Sequence, residues 1–408
     1  MRGATCNLAS AVHAAQHVVG GKVDTLEVFC RRAESFQLTA DRRGLIVRRE
    51  ATELGVACRV QKGEFVGFGR ASGSEKEAGR EAARLASVFL SPGHGPLPAA
   101  QALGAVPVPS GPKAKKDDAE ELFSQLARDL ERKELTVTLV TAETLFFRSE
   151  GFTASWGNQL FLVEWQQEVL PGVVLAFRRA GRHVEDMATP SCLKVLEGGQ
   201  RLAPWRRERG LLRVLLAPDV AAPLLVSLAR RQPPGKAQAS PPWDLWDLRQ
   251  GGEAFLPMAC DGEGYPAQNL PVLMGEPSET PRRRLEASGV SRGAVRVPWD
   301  APPAPHPVHL WQPPPVPASD PPLSDFEGVM ALAPVSEVVL ESDGRFRLLV
   351  LAVESHAGKI EAQGVVVLSG SLTRLSRSLV ATFGPQEHVA LGCVVSTPWL
   401  FFKNLEVS

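Results

Sequence analysis

An α+β fold in two domains is what this sequence predicts, and three observations carry the prediction. Between Thr25 and Leu90, several short alternating strands run into a hairpin and then an amphipathic helix. The tail repeats the strand signal, with apolar runs at Leu348 to Glu354 and Val365 to Leu368 and a closing strand from Pro398 to Leu405. The length, 408 residues of which 44% are hydrophobic, suffices for two cores. The expected division is an N-terminal helix-and-sheet domain at residues 1–200 and a mainly antiparallel β domain with helices at residues 201–408, the second carrying a proline-rich insertion at residues 232–325.

The elements follow in order. Leu8, Val12, Ala15 and Val19 keep helical spacing and Gly20-Gly21 ends the helix. Leu26, Val28 and Cys30 alternate with Thr25, Glu27 and Arg31, and Phe36, Leu38 and Ala40 with Ser35, Gln37 and Thr39, which predicts two half-buried strands. Val56, Cys58 and Val60 form a third, turned at Gln61 to Glu64 into a partner at Phe65 to Gly69. Ser74 and Glu77 have capping-box spacing, and Ala78, Ala82, Leu85 and Phe89 mark the inner stripe of a helix that Ser91-Pro92-Gly93 stops. A linker rich in Pro, Gly and Ala runs through Pro107, Pro109 and Pro112 to Lys116. Asp117 to Arg132 reads as a second helix with Leu122, Leu126 and Leu130 inward, followed by strands at Leu135 to Val140 and Leu160 to Trp165 and a turn at Ser149 to Phe152. Leu211 to Leu216 is a buried-strand candidate, Ala217-Pro218-Asp219 a helix start and Ala221 to Arg230 its helix. Pro298 to Pro322 is too dense in proline for a core element and reads as a surface loop or irregular edge. Ser371 to Val380 reads as helix.

Composition excludes several roles. With 45 basic and 45 acidic residues the net charge is zero, so no global field favours nucleic acid or an anionic membrane. The Arg206, Arg207, Arg209 and Arg282 to Arg284 clusters are read as solvated loops. No secretory signal and no run of about 20 apolar residues is present, which points to a cytoplasmic, non-membrane protein. The 6 cysteines lack a C-x-x-C pair and read as reduced, mostly buried residues.

Leu54-Gly55-Val56-Ala57-Cys58-Arg59-Val60 leading into Gly63, Gly67 and Phe68, within this order of elements, resembles the N-terminal region of the TldD/PmbA family. Asp261-Gly262-Glu263-Gly264-Tyr265-Pro266 is similar to a family turn, Ser288 to Gly293 to a worn Ser-x-Gly-Asn-x-Arg segment, and the turn at Ala357 to Ile360, Ser369 to Leu372 and the Pro398 to Leu405 pattern to its C-terminal domain. The family has zinc-bearing members, implied to be metallopeptidases through a helical His-Glu-x-x-x-His, and a metal-free sister, PmbA or TldE, that pairs with them. Two histidines one turn apart share a helix face, and the Glu can act as general base. The resemblance places that motif near Asp219 to Leu228, which here contains neither His nor Glu. It therefore implies a TldE-like, non-catalytic subunit with no catalytic, cofactor-binding or metal-ligating residues and no cofactor. Its implied partner is a zinc-bearing TldD-like subunit in a heterodimer, acting on unfolded or extended peptide; a stand-alone homodimer that binds peptide or serves as a scaffold is the alternative, and a divergent metallopeptidase a third reading.

Other candidates are weighed and set aside. His13 and His17 are four apart on the first helix, but Ala14, Ala15 and Gln16 between them supply no base. His306 and His309 lie in proline-rich sequence that disfavours a preorganised shell. Cys393 falls where the resemblance implies a late cysteine ligand, with His356 and His388 as conceivable companions, yet one thiolate without the paired histidines does not make a catalytic zinc shell, so a structural cysteine is expected. No Gly-x-Ser-x-Gly elbow or P-loop appears, and Gly67-x-Gly69 sits in a hairpin. Trp243 and Trp246 are expected to pack within the chain.

Overall fold

The computed structural model describes residues 8–41, 43–92, 114–129, 134–187, 191–197, 203–205, 210–231, 243–251, 253–262, 264–273, 294–295, 304–313, 326–356 and 359–408. The fold is α+β, as the sequence predicts. Cys6, the linker prolines, the arginine clusters at 206–209 and 282–284, and Ser288 to Gly293 lie outside the described residues.

The first layer is a long antiparallel sheet. Strand β1 (Thr25–Ala40) lies between β2 (Ile46–Lys62) and β5 (Glu134–Arg148); β3 (Phe65–Ser72) and then β4 (Leu90–Pro92) extend the β2 side, while β6 (Phe152–Leu170) and β7 (Val173–Gly181) extend the β5 side. Residues 25–31 and 35–40 thus form one strand rather than two. Nor is its first half buried on one face alone: Thr25 and Glu27 are buried as well as Leu26, Val28 and Cys30. The reason is a second cover, since Phe29, Phe146, Phe152 and Trp156 pack against Ala259 and Cys260 from the middle of the chain.

Helices α1 (Leu8–Val19) and α2 (Glu75–Val88) cover the other face, closing a cluster of Val12, Val28, Cys58, Val60, Ala78 and Ala82. The approach is close. A Cβ at Gly69 would stand 2.1 Å from the Ala82 carbonyl oxygen, and one at Gly79 would stand 2.3 Å from that of Ala11. The expected capping box does not form: the Ser74 hydroxyl donates to the Glu77 carboxylate (2.6 Å) instead of capping a backbone N–H. Phe89 is 66% exposed, beyond the buried stripe that Ala78, Ala82, Ala83 and Ala86 supply. Helix α3 (Lys116–Asp129) buries Leu122 and Phe123; Leu130 lies outside the described residues.

The second layer begins after α4 (Ser191–Glu197) and the short β8 (Ala203–Pro204). Strand β9 (Gly210–Leu216) leads into α5 (Pro218–Arg231), with Pro218 at the first helical position where its missing N–H costs nothing. Then come β10 (Leu245–Asp247), β11 (Leu270–Leu273), the pair β12 (Ala294–Val295) and β13 (Ala304–Pro305), and β14 (His309–Trp311). After β15 (Gly328–Pro334), β16 (Val339–Leu340), β17 (Arg345–His356) and β18 (Lys359–Ser371), α6 (Leu372–Ser378) precedes β19 (Leu379–Ala390) and β20 (Val394–Val407). Strand β20 lies at the centre, antiparallel to β9, β18 and β19 and parallel to β14. The pair Val389 and Arg179, on β19 and β7, joins the layers into one sheet.

The proline-dense segment departs from the expected surface loop: His309 and Leu310 are fully buried. Pro307 and Pro313 flank β14, leaving His309, Leu310 and Trp311 their backbone N–H groups for pairing. No helix among the described residues is long and apolar enough to cross a membrane.

Candidate functional site

Helix α5 stands where the resemblance places a zinc motif. Val220, Ala221, Ala222, Leu224, Leu225, Val226, Leu228 and Ala229 are buried in the apolar cluster beneath β20 and β15. Its single acid, Asp219 in the first turn, is buried and receives both terminal nitrogens of Arg179, at 2.6 and 2.7 Å. A carboxylate there also gains from the helix dipole.

Arg179 comes from β7, in phase with the inward Leu175 and Phe177. It donates in addition to Glu387 on β19 (2.7 Å). Glu387 accepts from the Ser191 hydroxyl and from the Ser191 N–H (3.0 Å), and the Trp399 indole donates to the Ser191 hydroxyl (2.6 Å). Burial opposes the Arg179 charge, but the Asp219 and Glu387 carboxylates outweigh it and push the guanidinium pKa up. Burial, with those same carboxylates, raises the Cys192 thiol well above its usual value, so it stays protonated beside Asp219. The network ties α4, α5, β7, β19 and β20 together, and its ionic groups are committed to one another.

A second buried cluster adjoins it on β19 and β20, His388 standing one residue from Glu387 and Ser396 three residues from Trp399. Ser396 is hydrogen-bonded to His309 Nε2 (2.6 Å) and to His388 Nδ1 (2.8 Å). Because the Phe255 N–H donates to His309 Nδ1 (3.3 Å), the ring proton of His309 is on Nε2 and is given to Ser396; the serine in turn donates to His388. The Phe255 ring packs 5.0 Å from the His309 ring and 4.5 Å from that of His388, with the Arg182 guanidinium 5.7 Å from it. Burial, then His388 and Arg182, lower the His309 pKa to about 3. Burial also lowers that of His388, with Asp186 acting the other way and Arg179 and Arg182 reinforcing it. Ser396 is 1% exposed, which keeps its hydroxyl from acting as an accessible nucleophile.

Asp247 and Arg249 hold the strand that supplies His309. Asp247 Oδ1 accepts from the N–H groups of Val308 and His309, and Arg249 bonds Asp247 Oδ2 (2.8 Å) and the His306 carbonyl (2.9 Å). Further out, Glu27 on β1 takes Arg59 (2.6 Å) and Arg148 (3.0 Å), both Glu27 and Arg148 being wholly buried. The turn resembling the family pattern lies against them: Gly264, at φ 87°, leaves room for Phe146, and Asp261 accepts from the Tyr265 N–H (2.9 Å).

The weighed candidates are scattered. His13 and His17 are exposed on α1, and His356 is exposed beside Glu327 at 3.9 Å. His306 bonds the carbonyl of Pro307. Cys393 packs in the core under β20; burial, then Asp247, push its thiol up to about 12, with Arg230 acting the other way. Trp243 is buried and donates to the Ser376 carbonyl (2.8 Å), whereas Trp246 is half-buried. Only His309 and His388 are brought together, through Ser396. Among the described residues, no group of three or more His, Cys, Asp or Glu could hold a metal ion. Reading the sequence missed Arg179, Glu387, Ser191, Ser396, Glu27 and Arg148 as polar cores. Arg179 did leave a signal, a charge in the inward phase of Val173 to Arg179.

No protein-family profile and no curated protein matches the sequence. Solved structures do. TldE from Thermococcus kodakarensis superimposes with a TM-score of 0.76 at 15% identity, over 98% of this chain and 100% of that one. A proposed modulator of DNA gyrase from Bacteroides thetaiotaomicron gives 0.72 at 13% identity over 99% of each chain. A second such protein, from Thermotoga maritima, gives 0.67 at 15% identity over 98% of this chain and 100% of the other. The chain has the fold of these proteins along essentially its whole length.

Proposed function

We propose that this chain is a non-catalytic, TldE-like subunit that pairs with a zinc-bearing TldD-like metallopeptidase in the cytoplasm and helps admit unfolded or extended peptides to that partner's site. One observation carries the reading. Helix α5, in the place where a zinc-bearing member would present two histidines and a glutamate, is packed with Val, Ala and Leu, and its one acid is bound to Arg179. These residues do not fit a zinc ion. The fold shared with TldE is compatible with this reading, and a domain boundary at about residue 200 is part of the proposal.

The test is co-expression with a TldD-like chain that carries His-Glu-x-x-x-His. The two are expected to purify as a complex that cleaves extended peptide and loses activity on chelation, while this chain alone neither cleaves peptide nor retains near-stoichiometric zinc. Cleavage by the zinc-loaded chain alone overturns the non-catalytic role; failure to bind any TldD-like chain overturns the heteromer. A stand-alone peptide-binding or scaffold homodimer is the second reading, favoured by the long exposed edge of β2.

A further inference from the structure

Three side chains that can donate hydrogen bonds stand in one row across the first sheet. Arg31 on β1 is opposite Thr144 on β5, and Thr144 is opposite Trp156 on β6, so the three share a face with neighbours about 5 Å apart. Among the described residues, none of these side chains makes a hydrogen bond or an ion pair. The row is held firmly. Trp156 belongs to the cluster of Phe29 and Phe146 that Ala259 and Cys260 cover, and its ring meets Phe29 at 6.5 Å between centroids and 61° between planes, which fixes the indole. Thr144 and Trp156 are buried, and Arg31, one step along the same face from Phe29, is half-buried.

A guanidinium withdrawn from water without an acceptor is costly. Burial lowers the Arg31 pKa, while Glu53, diagonal to it on β2, opposes the shift without forming an ion pair. Other interior arginines are treated differently: Arg148, Arg179 and Arg249 each hold a carboxylate of the chain. The neighbours of Arg31 on this face are also small. Gly55 is opposite it on β2, and Ala33 and Ala142 form the next opposed pair of β1 and β5, so none of these shields the guanidinium.

We propose that Arg31, Thr144 and Trp156 form a binding site for a carboxylate group. The guanidinium offers two parallel N–H groups to the two carboxylate oxygens, and the Thr144 hydroxyl and Trp156 indole N–H add neutral donors from the β5 and β6 side. Charge selects among oxyanions. Glu53 already offsets part of the Arg31 charge, so the site accepts a monoanion and disfavours the second charge of a phosphate. The carboxylate comes from a peptide C-terminus or from a small free acid, and the site stands whether or not the chain pairs with a peptidase.

Isothermal titration of the full chain tests it, with N-acetyl-Ala-Ala-Ala as the free acid, the same tripeptide as its C-terminal amide, acetate and inorganic phosphate as probes. The free acid is expected to bind at least about tenfold more tightly than the amide. Arg31→Gln abolishes that binding, whereas Thr144→Val and Trp156→Phe each weaken it. Without ligand, R31Q is expected to melt no lower than the parent, because no group of the protein loses a partner. Acetate bound as well as the tripeptide acid supports the site and makes a small acid its ligand. Acid and amide bound alike, no binding of either carboxylate, phosphate bound more tightly than acetate, parent-like binding by R31Q, or a lowered melting temperature of R31Q overturns the proposal.

Discussion

Arg179 neutralises two carboxylates in the interior, so its removal strands both. Asp219 and Glu387 are 5% and 8% exposed, and water cannot take the place of the guanidinium without opening the junction of β7, β19 and α5. Arg179→Met is expected to cost about 3–5 kcal/mol, read from the urea midpoint, and the triple variant R179M/D219N/E387Q should recover much of that loss. His309 carries a pH dependence whose sign is fixed by its lowered pKa. The folded value is about 3 and the ordinary value 6.5, so between these the unfolded chain binds the extra proton. The stability from a neutral His309 is full above pH 6.5 and is lost as pH falls towards 3, by up to about 1.4 kcal/mol per unit. Urea titrations at pH 7, 6, 5 and 4 check this, and His309→Gln should flatten the slope. In the sequence His309 was weighed as a metal ligand and set aside, and Arg179 was not singled out. His309 was hidden by its prolines, and Arg179 resembles any charge on a half-exposed strand until Glu387, 208 positions later, is beside it. Polar partners that distant leave no periodic trace, whereas the empty helix at Asp219 to Leu228 was legible because a missing motif is a local fact.

At the level of elements, periodicity located most of the helices and strands it was asked about and missed those whose alternation is mixed. Helices α1, α2, α3 and α5 stand where spacing put them, since a one-sided apolar stripe has few other uses, although the buried stripe of α2 is Ala78, Ala82, Ala83 and Ala86 and leaves Phe89 exposed. Strand β7 was missed because inward Arg179 breaks its apolar face, and β19 because Gly384 (φ 76°), Pro385 and Gln386 interrupt its pairing with β20. The contact of α2 with the sheet is set by absent side chains rather than by large ones. Gly69→Ala would bring a methyl group to 2.1 Å from the Ala82 carbonyl oxygen and so lift the helix. The expected cost is about 1–3 kcal/mol in chemical denaturation. Gly157→Ala, whose nearest neighbour would be 3.6 Å away, is the matched control and should change stability far less.

Across the whole molecule, the two halves share their interior. One apolar cluster takes Phe36, Leu135 and Phe161 from the first layer and Leu215, Met330 and Trp399 from the second, and the Arg179 network crosses the same boundary. Calorimetry is therefore expected to give one unfolding transition with equal calorimetric and van't Hoff enthalpies; two resolved peaks would mean that the layers melt separately. The central position of β20 adds a constraint on synthesis. It pairs with β9, β14, β18 and β19, and every one of these leaves the ribosome before it does. The first layer can begin to fold while the chain is growing, but β9, β14 and β19 must wait with unpaired edges until residues 394–407 emerge. A ribosome stalled short of Val394 would hold a half-finished sheet, and chaperone binding to nascent chains should peak there.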